Sequence, residues 1–76
     1  MNEFKPKKPL FTQQDALKYE LGAMIEGDLD EKPCVFYVRE TPRIIGSGVV
    51  IIVQDKNGKL SKMTVDPTGA AIVVPE

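Results

Sequence analysis

Five consecutive β-branched residues, Val49 to Val53, constrain this chain more than any other feature of its sequence. Such residues favour extended strands, in which successive side chains point to opposite faces of a sheet. A strand of this composition is therefore apolar on both faces, and both faces must be shielded from water. Segments 34–38 and 70–74 show the same lack of alternation.

The segment before these strands predicts an amphipathic helix over residues 13–26. Thr12 and Asp15 have the spacing of a capping box, in which each residue caps the other's backbone. Gly27 is suited to end the helix in a left-handed conformation. Apolar residues recur at helical spacing and form one stripe: Leu17, Leu21, Met24 and Ile25.

From residue 34 onward, short β-rich segments alternate with turn sequences. Asn57-Gly58 is typical of a two-residue type I′ hairpin turn, in which Lys56 pairs with Lys59; a three-residue loop with a bulge shifts this register by one. Asp66-Pro67-Thr68-Gly69 fits a type I turn. The pattern predicts an α+β domain over residues 11–76, with one N-terminal helix packed on a four-stranded antiparallel β-meander.

The second face of this sheet needs a cover, because one helix covers only one face. The sheet can bend at Gly46 and Gly48 and curl into a small SH3-like barrel, which closes the second face inward. Alternatively, the second face meets another protein or a second copy of this chain. The sequence leaves both arrangements open.

The N-terminal segment differs in composition from the rest of the chain. Residues 1–10 carry three lysines and two prolines and show no hydrophobic period. Because proline biases the preceding residue toward extended geometry, we expect an extended arm that precedes the domain.

The composition removes most catalytic and metal-binding sets, because the 76 residues include no histidine and one cysteine, Cys34. A lone cysteine forms no intrachain disulfide, which favours a cytoplasmic location. Cys34 has no histidine base, and acidic residues 26–31 do not fit a calcium-binding loop. We expect no enzyme activity, no cofactor, no metal site and no small-molecule ligand. No apolar run reaches the roughly 18 residues that span a membrane.

The two-sided apolar segment supports our leading functional hypothesis, a protein-interaction module. Such a module either self-associates or joins a larger assembly through an apolar β face. Interfaces of this kind usually contain an aromatic anchor at their centre. We predict an interface at five residues: Phe36, Tyr37, Val49, Ile51 and Val53.

The alternative hypothesis is binding of single-stranded nucleic acid. Small curled β domains bind single strands by stacking bases on exposed aromatic side chains beside a basic groove. A net charge of −1 supplies no overall attraction for phosphates, so this function needs a local basic patch. The residues predicted for it are Lys5, Lys7, Lys8, Tyr37, Arg39 and Arg43.

Overall fold

Six of seven strands close into a barrel in the computed structural model, which describes residues 2–8 and 11–76. The elements in chain order are β1 (Asn2–Pro6), α1 (Gln13–Leu17), β2 (Met24–Leu29), β3 (Lys32–Val38), β4 (Arg43–Ile45), β5 (Gly48–Gln54), β6 (Leu60–Val65) and β7 (Ala71–Pro75). The strand order is β3-β2-β1-β7-β6-β5, and pairing of β3 with β5 closes the ring. β4 lies outside the ring and pairs with β5.

The helix predicted over residues 13–26 is wrong beyond its first turn, because α1 ends at Leu17. Its capping box is confirmed: the Asp15 N–H donates to Thr12 Oγ1 at 3.2 Å, and the Thr12 N–H donates to the Asp15 carboxylate at 3.0 Å. Gly22, with a φ of +82°, departs from helical geometry. The residues that follow form β2, in which Ile25 points into the barrel and Met24 is exposed.

The four-stranded meander is also wrong, because the ring includes two strands from the N-terminal part of the chain. Residues 2–6, expected in an extended arm, form β1 between β2 and β7. Phe4 is buried, and its ring meets that of Phe36 edge-on with centroids 5.5 Å apart. The alternation of exposed Glu3, buried Phe4 and exposed Lys5 is that of a strand. Three residues assigned to the arm, Met1, Pro9 and Leu10, lie outside the described residues.

Closure of the ring accounts for the burial of three of the five apolar residues from Val49 to Val53. Val49, Ile51 and Val53 point into the barrel, where they belong to one buried cluster. Val50 and Ile52 point to the outer surface and are nevertheless buried. This closure agrees with the curled-barrel arrangement that the sequence left open.

The loops β5–β6 and β6–β7 share one geometry. In each, a leading aspartate, Asp55 or Asp66, accepts hydrogen bonds at 2.9 to 3.0 Å from backbone N–H groups two and four residues later. Gly58 and Gly69 adopt φ values of +85° and +90°, as the bulged residue of a three-residue hairpin loop requires. The predicted type I turn at 66–69 is confirmed by a 2.9 Å bond from the Gly69 N–H to the Asp66 carbonyl.

The β5–β6 loop sets a register different from the one predicted for a two-residue turn. Ile51, and not Ile52, lies opposite Met63. A shift of one residue exchanges the two faces of a strand relative to its neighbour. The odd-numbered residues of β5 therefore share the interior with Met63 and Val65.

We predict that Phe4→Ala lowers the free energy of unfolding by about 3–5 kcal/mol, the usual loss for a buried phenylalanine. Lys5→Ala, on the same strand but exposed, should change it by less than about 0.5 kcal/mol. Urea denaturation followed by circular dichroism measures both. Equal stability of the Phe4→Ala and wild-type proteins would contradict the placement of β1 in the barrel.

Candidate functional site

The barrel interior contains four of the five residues predicted as a protein interface. Phe36, Val49, Ile51 and Val53 are buried members of the core cluster, so a partner of the folded barrel does not reach them. Tyr37 differs, since it points outward from β3 and is 38% exposed. A surface for partner binding must therefore be sought around Tyr37.

Tyr37 belongs to a row of side chains that crosses four strands on the outside of the barrel. Its cross-strand partners are Met24 on β2 and Gln54 on β5, and Gln54 pairs with Leu60 on β6. Directly paired residues of antiparallel strands point to the same face. Met24 is 51% and Leu60 is 40% exposed. The row is thus an apolar band interrupted by one amide.

A second row runs beside the first on the same surface. Ile52 on β5 pairs with Lys62 on β6, and Lys62 pairs with Val74 on β7, which is 45% exposed. The Arg39 N–H donates to the Ile52 carbonyl at 2.8 Å, which places Arg39 at the end of this row. We call six exposed side chains of the two rows the outer patch: Met24, Tyr37, Arg39, Leu60, Lys62 and Val74.

The outer patch lies in the more basic part of the chain. Residues 1–31 contain seven acidic and four basic residues, whereas residues 32–76 contain four acidic and six basic ones. The first row ends beyond Leu60 at Glu76, whose N–H donates to the Leu60 carbonyl at 3.3 Å and whose carboxylate lies at the margin of the patch. Among residues 2–8 and 11–76, neither Arg39 nor Lys62 forms an ion pair. The patch therefore combines apolar surface with two cations that are not in ion pairs.

Two lysines predicted for nucleic-acid binding already have acidic partners. Lys7 Nζ lies 3.4 Å from the Glu26 carboxylate, and Lys8 Nζ lies 2.7 Å from that of Asp15. The hydrogen bond from Lys8, followed by that from the backbone of Thr12, lowers the pKa of Asp15. Nearby carboxylates thus offset the positive charge of this segment.

The structure separates the lysines of the N-terminal segment from the other residues predicted for nucleic-acid binding. Lys5, on β1, pairs with Asp28 on β2, and Asp28 pairs with Pro33, which is four positions before Tyr37 on β3. Arg43, by contrast, pairs with Val50 on β5 and so lies on the same outer face as Arg39. The predicted set therefore divides into an N-terminal group with acidic neighbours and a group around Tyr37.

Cys34 lines a cleft of about 280 Å³ between the β2–β3 hairpin and the β5–β6 loop. Burial, and then the nearby Asp55 carboxylate, raises the pKa of the Cys34 thiol. The thiol is therefore protonated at neutral pH and is a poor nucleophile. No cluster of three or more potential metal ligands occurs in the described part of the chain.

Neither a membrane span nor a relative provides a further indication of function. Within residues 2–8 and 11–76, no helix has the length and apolar character needed to cross a membrane. Comparisons with protein-family models, curated proteins and solved structures find no match to this chain. The geometry of the outer patch is therefore the main indication of function.

The predicted site residues did not include four members of the outer patch: Met24, Leu60, Lys62 and Val74. Met24 was predicted to lie on the apolar stripe of a helix. In the structure it is the first residue of β2, where exposed and buried residues alternate and Met24 points outward. The predicted register puts Leu60 on the face of β5 that carries Val49, and that register is wrong by one residue. Asp55, two residues before Asn57, was the available signal for the longer loop, since its side chain accepts a hydrogen bond from the Asn57 N–H.

We predict that the Cys34 thiol reacts slowly with a disulfide reagent at pH 7 and that its rate still rises with pH where the rate of the unfolded protein has levelled off. The cause is that burial raises the pKa of this thiol, so its thiolate fraction reaches its maximum at a higher pH. Stopped-flow absorbance over a pH series measures the rate, and the urea-unfolded protein provides the control, with its plateau at lower pH. A fast reaction at pH 7 would mean that a thiolate is present.

Proposed function

We propose that this chain is a small, non-enzymatic protein-interaction module that binds a partner through the outer patch. The observation that supports the proposal is the pair of adjacent rows outside the barrel, which expose Met24, Tyr37, Leu60 and Val74 together. Closure of the barrel does not cover these side chains, unlike those of the core. Contiguous exposed apolar surface of this kind marks interaction sites.

Tyr37 is the expected anchor of the interface. Tyrosine combines a large apolar ring with a hydroxyl that hydrogen-bonds, and it is enriched among residues that contribute most to binding. Arg39 and Lys62 lie in the neighbouring row and favour a partner whose apolar side chains are flanked by carboxylates. The patch spans five strands about 4.8 Å apart and only two rows along them, so it is small, which favours a weak or transient complex.

We predict that Tyr37→Ala and Leu60→Ser each weaken partner binding by at least about tenfold, the effect of losing an interface anchor. Leu17→Ser is the matched control, since Leu17 is 39% exposed, as Leu60 is 40%, and lies on α1, outside the patch. Partners are identified as proteins that bind the wild type and not Tyr37→Ala, and their affinities are then measured by calorimetry. Equal losses for Leu17→Ser and Leu60→Ser would contradict the proposal.

A second candidate function, binding of single-stranded nucleic acid, is favoured by one specific observation. Tyr37 lies on the same outer face as three cations: Arg39, Arg43 and Lys62. A base could stack on the tyrosine ring while the cations meet phosphates. We rank it second because the lysines of the N-terminal segment have acidic neighbours.

For this second function, we predict that a labelled oligonucleotide binds at low salt and that Arg39→Ala and Arg43→Ala weaken binding. Removing one phosphate-binding cation should reduce the slope of log affinity against log salt by about 0.7. Lys7→Ala is the control, because Lys7 already pairs with Glu26. Fluorescence anisotropy measures the affinities, and absence of salt-sensitive binding would exclude this function.

A further inference from the structure

β4 is an open edge on the outside of the ring. Its one strand partner in the described chain is β5, and its two isoleucines, Ile44 and Ile45, are 68% and 56% exposed. An edge strand presents unpaired backbone groups that can pair with a strand of another chain. The protecting features of this edge are its shortness, the charge of Arg43 and the preceding Pro42, and none of them covers Ile44.

The hydrogen bonds of β5 show which backbone groups of β4 are unpaired. The Asp55 N–H donates to the Lys59 carbonyl at 3.0 Å, so these two residues form a hydrogen-bonded pair. Hydrogen-bonded pairs recur at every second residue of an antiparallel ladder, so the N–H and C=O of Val49 also point toward β6. The Arg39 N–H donates to the Ile52 carbonyl at 2.8 Å, so the even-numbered residues bond toward the opposite edge. Both observations give the same alternation.

Ile44 therefore carries the unpaired groups of β4. It lies opposite Val49, whose groups bond to β6, so the N–H and C=O of Ile44 point toward the open edge. Its neighbours Arg43 and Ile45 bond inward to β5. No backbone hydrogen bond from elsewhere in the described chain reaches Ile44. The edge thus offers one donor and one acceptor on the same residue.

We propose that a second copy of this chain pairs with β4 in antiparallel orientation, with Ile44 opposite Ile44 of the second copy. A two-fold axis through this pair satisfies the donor and acceptor of both copies with two hydrogen bonds. Each Arg43 then lies opposite Ile45 of the second copy, and its aliphatic stem covers exposed apolar surface. This inference concerns a surface different from the outer patch and does not depend on the proposed function.

The length of β4 favours a second copy over an extended peptide. The strand has three residues and ends at a two-residue turn in which Gly46 has a φ of +61°. A peptide added to this edge would gain hydrogen bonds at one residue, whereas the symmetric pair also packs two exposed isoleucines from each copy. The contact area is small, so the dimer is expected to be weak.

The test is sedimentation velocity from about 10 µM to about 1 mM, the range in which weak contacts associate. The wild type should shift from monomer to dimer, and amide hydrogen exchange at Ile44 should slow as concentration rises. Ile44→Pro removes the outward N–H without removing a bond to β5, so it should stay folded and monomeric. Ile44→Lys places like charges opposite each other and should also be monomeric, whereas Ile44→Val should still dimerise.

Three results would overturn the proposal: a wild type that is monomeric at about 1 mM, a dimer that persists in Ile44→Pro, or exchange at Ile44 that is independent of concentration. Tyr37→Ala separates this proposal from the proposed function, because it should leave the dimer intact. Loss of the dimer in Tyr37→Ala would instead place self-association on the outer patch. The two Arg43 side chains are diagonal neighbours in the edge dimer and repel each other. Added salt screens this repulsion and should strengthen the dimer, so a dimer that salt weakens would contradict the proposal.

Discussion

Pairing between the ends of β3 and β5 is the interaction on which the rest of this structure depends. Two residue pairs, Tyr37 with Gln54 and Val38 with Val53, join the first hairpin to the last three strands of the ring. The pair formed by Val38 and Val53 closes the interior. The pair formed by Tyr37 and Gln54 continues the outer row across the junction. Core and outer patch therefore arise from the same contact, one on each face of the sheet.

Closure also requires that the N-terminal strand approach β2 closely, and Gly27 permits this. A Cβ atom at Gly27 would collide with the carbonyl oxygen of Lys5 and would lie 2.6 Å from the ring of Phe4. Glycine thus allows Phe4 to enter the interior beside Phe36. From the sequence alone, the same glycine indicated the end of a helix. Glycine is common both at helix ends and where two strands approach closely, so the residue type does not distinguish the two.

The curled barrel was one of two arrangements that the sequence left open, and the assignment of its faces could not be predicted. Apolar character on both sides of residues 49–53 required a second cover, and the closed ring buries one of the two sides. The choice of Val49, Ile51 and Val53 as an interface followed from a two-residue turn at Asn57-Gly58, whereas the longer loop capped by Asp55 reverses inside and outside. The β2 strand was missed because four apolar residues matched a helical period by coincidence, and their pairing with β3 is a long-range interaction invisible to local periodicity.

An edge dimer would change what the outer patch can do. Paired antiparallel edges are related by an axis perpendicular to the sheet, so the outer faces of the two copies continue one another on the same side. Arg43, at the edge, would then lie between two patches, each centred on Tyr37. A small patch binds weakly by itself, but two patches on one rigid sheet engage a partner that carries two matching segments at a high effective concentration. Weak self-association and weak partner binding would thereby reinforce each other, since a bivalent partner also stabilises the dimer it bridges.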